Sequence, residues 1–438
     1  MNPRVDPRKQ KKLARKARGD AKGAEPGRVA SAVASTQPSL QDGCPTLRFE
    51  PMDTWFFRES RPMEAIGGSE LASVFPPPPR TLLGAVRTAI GDASGVDWKD
   101  FKDDPEHPLR KLIGFGDDLG TLGLFGPWLH WRDDRLFPVP LFLLSKKREF
   151  ALLRIGQAAQ TMDKPADKPA MEFARLRIGQ AAQTHLGQVR LPELPGDKQG
   201  YKPLEQAWIT RVGLEAVLKG EVPDSNAIQL AKALFQYESR LGIARDNVRR
   251  ITDEGLLYQT RHLRPNSDLT VEAGITLTED TAIPSGLVRL GGEGRMAHLV
   301  ADKAPPFLIA PNPTRNTKGL ILLLLTPARF VGRDGWLPPG LRPEDERGER
   351  VWKGQIAEVD LTLHAAVLGK AQREGGWDMA NHRPRAVQSL IPAGSAYYVT
   401  IKGDIRAAIQ KLHSARIGED RPLGRGLLAC GLWNANEF

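Results

Sequence analysis

The sequence predicts an α+β protein, and three stretches carry that expectation. Residues 46–58, TLRFEPMDTWFFR, form an apolar and aromatic run of strand type, and RTLLGAVRTAIGD at 80–92 has the spacing of an amphipathic helix. The end of the chain reads as strand, helix, glycine-rich loop and strand, the second half of a ferredoxin-like module. At 438 residues, 40% of them hydrophobic, the chain is globular and too long for one ordinary core, so two domains are expected.

Taken in order, ordered structure is expected to start near Thr46. Pro76 to Pro79 make a stiff polyproline arm that stops any helix before it. Leu82, Leu83, Val86 and Ile90 then fall on one helical face, with Thr81 as the expected N-cap and Gly91 at the end. Arg80 and Arg87 lie seven apart, away from that apolar stripe. Leu122 to Trp131 and Leu136 to Leu144 read as a hairpin turned at Asp133-Asp134. EFALLRIGQAAQT at 149–161 returns as EFARLRIGQAAQT at 172–184, which we read as a local duplication within a surface insertion; two copies do not make a solenoid.

Thr210 to Lys219 is expected to be helical and Phe235 to Pro265 extended, with further strands at 268–277, 296–301 and 319–330. AYYVTI at 396–401 is a strand, and Asp404 caps a helix whose Ile405, Ala408, Ile409 and Leu412 share a face. The expected organisation is a disordered basic tail at 1–43, an N-terminal domain at 44–235 with an insertion near 145–205, and a C-terminal domain at 236–438 with its glycine-rich loop at 418–431.

The formal charge of +10 suggests a polyanionic partner, but it is unevenly spread. The first 43 residues hold ten Lys/Arg against four acids, so the remainder carries only +4. No apolar run approaches the roughly 18 residues a membrane helix needs, and the start lacks a signal-type stretch, so a cytoplasmic protein is expected. Cys44 and Cys430 are far apart without a C-x-x-C, which excludes a thiolate zinc site.

Catalytic patterns are absent from the sequence. Gly424, Gly426 and Ala429 satisfy G-x-G-x-x-A, yet a helix precedes them and a strand follows, the reverse of a dinucleotide-binding turn. Asp117-Asp118 and Asp133-Asp134 read as turn residues. The eight histidines show no metal-ligand spacing; His262 and His298, on expected strands, are the two that could serve as bases in an RNA cut. No metal and no cofactor is therefore expected.

What recurs is arginine beside glycine. Gly291, Gly292 and Gly294 lead into Arg295, and Arg421 precedes Gly424-Arg425-Gly426. Glycine lets a backbone approach a phosphate and arginine supplies a bidentate fork, although a plain turn has the same composition. Trp55, Phe56 and Phe57 beside Arg58 and Arg61 could stack bases.

These landmarks together resemble a family. MDTWFFRESRPM, FPPPPRTLLGAVRTAIGD, GPWLHWRDDRLFPVPLFLL, ESRLGIARD with EGLLYQTRHLRP, LVRLGGEGRMAHL, RAVQSLIPAGSAYYV and GEDRPLGRGLLACG are similar, in order, to the third subunit of the type III-B CRISPR effector. That subunit of the Cmr complex belongs to the RAMP superfamily. The resemblance runs from about Thr46 to Trp433; the tail before Cys44 and the duplication have no counterpart in it.

It implies two RRM-like (ferredoxin-like) RAMP domains facing across a cleft. It also implies a non-catalytic role in antiviral defence, holding the repeat-derived 5′ tag of the guide RNA. The implied protein partners are the large polymerase-like subunit and the backbone RAMP subunits, without a membrane. On that footing Arg425, Gly424, Gly426 and Arg421, with Arg295, Gly291 and Gly292, are expected tag contacts, and Arg58, Arg80 and Arg87 secondary ones. The alternative is a RAMP endoribonuclease that processes precursor guide RNA.

Overall fold

The computed structural model describes residues 45–60, 70–147, 171–196, 199–246, 251–277, 283–302, 306–332 and 334–434. The basic tail, Arg61 and the first copy of the duplication lie outside them.

Strands dominate, and the α+β expectation holds. The strand Thr46–Pro51 leads through the helix Pro79–Ala93 to the strand Gly123–Trp131. Both strands pair antiparallel with Leu269–Thr276, which lies between them. Near the C-terminus the pattern repeats: Ala396–Ile401, the helix Ile405–Leu412 and Leu428–Asn434 flank Thr317–Leu324, again antiparallel to both. Each unit is strand, helix, strand around an antiparallel centre, the ferredoxin-like arrangement.

The first unit grows into an eight-stranded sheet, the second into a six-stranded one extended by the meander Leu341–Glu346, Glu349–Ile356 and Val359–Val367. Strands Leu269–Thr276, Gly286–Arg289 and Met296–Asp302 belong to the first sheet, although the sequence division placed them in the second half. Strand partners far apart in sequence leave no local signal.

Alternation along the strands builds the interior. Leu320, Leu322 and Leu324 pack under the helix Ile405–Leu412, whereas Ile321, Leu323 and Leu325 face the other way. There they meet Phe125, Trp128 and Phe137 of the first sheet and Leu214, Val217 and Leu218 of the helix Arg211–Lys219. Every such side chain contributes about 1.5–3 kcal/mol on burial, so the two sheets share one substantial core.

Two boundaries differ from expectation for local reasons. The first helix begins at Pro79 without a side-chain cap, because a proline in the first turn has no N–H to satisfy; Thr81 is already helical. Gly91 lies inside that helix, where a Cβ would strike the Trp98 ring at 2.4 Å. By contrast Thr210 caps its helix by accepting from the Gly213 amide at 3.3 Å, and Asp404 accepts from the Arg406 and Ala407 amides at 3.1 Å each. No helix among the described residues is long and apolar enough to cross a membrane.

Candidate nucleic-acid interface

The glycine-rich loop is explained by the protein's own backbone. Gly424 (φ 76°) and Gly426 (φ 69°) take left-handed conformations. A Cβ on Gly424 would lie 2.6 Å from the Gly126 carbonyl oxygen and one on Gly426 1.9 Å from that of Ile417. Between Arg421 and Gly424 the chain inserts Leu423 into the core under the helix Pro79–Ala93. The loop is thus a latch by which the C-terminal unit grips the first sheet.

Arg425 is not where a phosphate contact would be. It is 3% exposed and ion-paired to Glu374, itself buried. Arg425 Nη1 and Glu374 Oε2 are buried without a hydrogen-bond partner. The expectation of an open arginine fails because the glycines that flank it turn its side chain inward. Arg421 is exposed at the loop rim, and its carbonyl accepts from Arg416 Nη1 at 2.7 Å.

The second glycine loop also packs on protein. The Gly292 amide donates to the Phe56 carbonyl at 2.8 Å, and Gly291 (φ 88°) has no room for a Cβ beside that same oxygen. Trp55, Phe56 and Phe57 are buried, so they form core rather than a stacking platform. Arg295 turns to Asp53, 2.9 Å away, where Arg264 (3.1 Å) and Arg240 (3.6 Å) also converge. Burial would push the Asp53 carboxyl up, but the Thr54 amide, Arg264 and Arg240 outweigh it and hold it below the usual range.

His262 lies under this cluster, stacked on Phe56 and 1% exposed, with Thr54 Oγ1 3.2 Å from its Nδ1. Burial, then Arg295 and Arg240, push its pKa down to about 4. The unfolded ring takes up a proton below pH 6.5 and the folded one does not until about 4, so this histidine's contribution is complete above 6.5 and lost as the pH falls through that window. Thermal melts between pH 7 and 4 are therefore expected to show a shallower decline for His262→Gln than for the parent; identical slopes would contradict the assignment. His298 is half-buried and faces Glu50 at 3.4 Å.

Arg87 is committed to the fold, donating to the carbonyls of Ile113 (2.5 Å), Gly116 (3.2 Å) and Asp118. Burial, then neighbouring Arg80, push its guanidinium down to about 10, still charged at neutral pH. Arg58 is half-buried, bridged through its backbone to Ser73.

Arg80 is placed differently. It borders a polar cleft of about 640 Å³ between the first helix and a nested β-hairpin, Gln372–Glu374 with Gln388–Leu390 and Trp377–Asp378 with Arg383–Pro384. The hairpin leans on the first unit: the Gly375 amide donates to Ser60 Oγ at 2.6 Å, and Asp117 receives both Arg80 (3.0 Å) and Arg385. Arg383 and Gln388 line the same cleft, and Asp420 brings the glycine-rich loop to its edge. An adjoining hollow of about 410 Å³ has Trp98, Phe101, Phe115, Trp377 and Met379 in its walls and Lys102 at its border. Trp98, Trp377 and Met379 are exposed apolar surface.

Of the expected site residues, the structure places Arg80 on the wall of this cleft, with Asp420 of the glycine-rich loop at its edge, and Arg295 lines neither hollow. Sequence reasoning missed Trp377, Arg383 and Arg385, although the interleaved aromatic and basic residues of REGGWDMANHRPRAV at 373–387 were a visible signal. Among the described residues no group of three or more His, Cys, Asp or Glu is placed to hold a metal ion.

No curated protein matches the sequence. Among solved structures, a chain of the type III-B Cmr-beta complex bound to cognate target RNA and AMPPnP is similar, with 16% identity, 83% of this chain and 87% of that chain covered, and a TM-score of 0.41. A chain of the Csm3-Csm4 subcomplex in the type III-A CRISPR-Cas interference complex is similar at 10% identity, with 89% and 99% covered and a TM-score of 0.38. Residues 47–433 match the family described as CRISPR-associated protein (Cas_Cmr3), from the first strand to the last. The chain belongs to the Cas_Cmr3 family of CRISPR-associated proteins.

Proposed function

We propose that the chain is a non-catalytic, RNA-holding subunit of a type III-B CRISPR effector complex, gripping the repeat-derived 5′ tag of the guide RNA and docking on the large polymerase-like subunit. The observation that carries this reading is the cleft between the first helix and the hairpin at 372–390. Exposed Trp98 and Trp377 offer stacking faces, while Arg80, Lys102 and Arg383 supply the phosphate partners beside them. Aromatic faces edged by cations are the chemistry of single-stranded RNA recognition. The Arg80 pair with Asp117 does not oppose this, because Asp117 is largely exposed and such surface pairs exchange at little cost, while Arg385, also 3.5 Å from the buried Asp378, keeps the hairpin in place beside the cleft.

In this reading Arg421 contacts RNA at the loop rim, Arg425 positions the hairpin through Glu374, and the Arg295 cluster is a second basic surface. The test is tag-RNA binding as a function of salt. Arg383→Ala is expected to flatten the log-log salt dependence by about 0.7, the value for one phosphate contact on a single strand. Trp377→Ala is expected to cost about 1–3 kcal/mol of affinity with the slope unchanged. If neither substitution moves binding, the cleft is not the RNA site. Copurification of the full chain with a large subunit and a short RNA tests the docking part, and metal-independent cleavage of repeat RNA would overturn the non-catalytic part.

A further inference from the structure

The hairpin at 372–390 is firm at one end and loose at the other. At its root Leu390 is buried, Glu374 pairs with the buried Arg425, and the Ile391 backbone exchanges hydrogen bonds with Ala328 at 2.8 and 2.9 Å. From Gly376 to Ser389, by contrast, Asp378 is the one buried residue. Trp377, Met379 and Val387 leave their apolar surface in solvent. A segment with so few buried contacts opens at low free energy.

Root and tip are joined by a flexible step. Gly375-Gly376 interrupts one arm between Gln372–Glu374 and Trp377–Asp378, and residues 385–387 interrupt the other between Arg383–Pro384 and Gln388–Leu390. A backbone bond spans the break, from the Arg385 amide to the Gly376 carbonyl at 2.9 Å. Gly376 has φ 120° and is exposed, and a Cβ on it would meet nothing within 4 Å, so no packing restrains it. Beyond it the tip is stiff: Asp378 accepts from the Ala380 amide at 3.1 Å, the Asn381 amide at 3.3 Å and Asn381 Nδ2 at 2.9 Å. A stiff tip on a glycine step moves as one piece.

Exposed polar pairs hold the tip down. The Asp117 side chain, 66% exposed, receives Arg385 from the tip and Arg80 from the first helix. Lys102 Nζ lies 3.3 Å from His382 Nε2. Arg87 fixes the loop that presents Asp117 by donating to the carbonyls on either side of it, Gly116 and Asp118. Arg80, Asp378 and Arg385 line both the polar cleft and the aromatic hollow, so this bridge is the partition between them. A strand that sets its bases on Trp98 and Trp377 and its phosphates at Arg383 crosses that partition. There the Asp117 carboxylate holds the place between two guanidinia that a phosphate oxygen would take.

We propose that residues 376–387 form a strap over the cleft, hinged at Gly375-Gly376 and latched by Asp117, which lifts to admit RNA and closes on it when a phosphate replaces the Asp117 carboxylate. The proposal rests on the cleft being the RNA site and adds how that site is opened.

Two measurements on the full-length chain with Cys44→Ser test it. Spin labels on Met379→Cys and Glu106→Cys are expected to give two separations, and Asp117→Asn to enlarge the longer population by about two- to fivefold, the worth of one exposed ion pair. This arm needs no RNA. For the second, a Cβ on Gly116 would lie 3.3 Å from that of Ala380, close to the disulfide spacing of about 3.5–4.5 Å, so oxidised Gly116→Cys/Ala380→Cys locks the tip. The reduced form of the same protein carries the same strain at position 116 (φ 63°) and serves as its reference. Ser60→Cys/Gly375→Cys, with 3.5 Å between the Cβ atoms, locks the root and leaves the tip free.

A short fluorescein-labelled single-stranded RNA of the tag sequence is expected to associate at least about tenfold more slowly with the oxidised 116/380 protein than with its reduced form. It is expected to associate faster with Asp117→Asn and at an unchanged rate when the 60/375 bond forms. A single spin-label separation, unmoved by Asp117→Asn, overturns the strap. So does equal association with the oxidised and reduced 116/380 proteins while Trp377→Ala still weakens binding. Unmoved binding in both Trp377→Ala and Arg383→Ala refutes the RNA site instead, and the spin-label separations then decide the strap by themselves.

Discussion

Replacing Arg425 with alanine is expected to lower the unfolding free energy by about 3–5 kcal/mol, the usual effect of removing one partner from a buried ion pair. The carboxylate of Glu374 would be left largely buried without its arginine, while the hairpin at 372–390 would lose its link to the glycine-rich loop. Glu374→Ala is expected to do the same from the other side. Urea denaturation of both variants, with the double substitution Arg425→Met/Glu374→Leu, checks the account. The double variant is expected to recover most of the loss, because a neutral apolar pair needs no compensation for desolvation. A near-normal stability for Arg425→Ala, joined to lost RNA binding, would return Arg425 to the role of direct phosphate contact.

Gly424→Ala is expected to cost about 2–5 kcal/mol. Roughly 1–2 kcal/mol comes from forcing a side chain into the left-handed region. About 1–3 kcal/mol more comes from overlap with the Gly126 and Leu124 carbonyl oxygens, 2.6 and 2.9 Å from the added Cβ. Because Leu423 sits beside it in the core under the first helix, the damage should reach the first sheet as well as the loop. Hydrogen exchange on the strand Gly123–Trp131 reads this directly: faster exchange there is the expected result, and a change confined to 418–431 would mean that the loop is not a latch.

Much of the fold was legible in local patterns. The strand at Thr46–Pro51, the helix at Arg211–Lys219 with its Thr210 cap, and the closing strand, helix and strand all announce themselves by periodicity and capping residues. The meander Leu341–Val367 passed unread, because Leu341–Glu346 is exposed apart from its first residue and its neighbours interrupt alternation with charge. The nested hairpin also escaped notice, being built from two- and three-residue strands too short to carry a period.

The candidate site was legible in composition and misassigned in direction. Arginine beside glycine marked both loops, but the same glycines that would admit a phosphate here admit the carbonyls of Phe56, Gly126 and Ile417. A sequence carries the demand for a missing Cβ without saying what takes the space. Likewise Trp55, Phe56 and Phe57 have the residue types of a stacking platform, and only burial separates them from Trp98 and Trp377.

The sequence by itself determined the α+β class, the order of both strand-helix-strand units, the absence of a recognisable catalytic motif and the family resemblance, since each rests on residues close together in the chain or on landmarks in a fixed order. The tertiary structure alone decided which arginines are available. Arg425 meets Glu374 across 51 positions, Arg295 meets Asp53 across 242, and Arg385 reaches Asp117 across 268. Whether a guanidinium ends in the core or in a cleft depends on what long-range packing sets beside it, and local sequence holds no information about that neighbour.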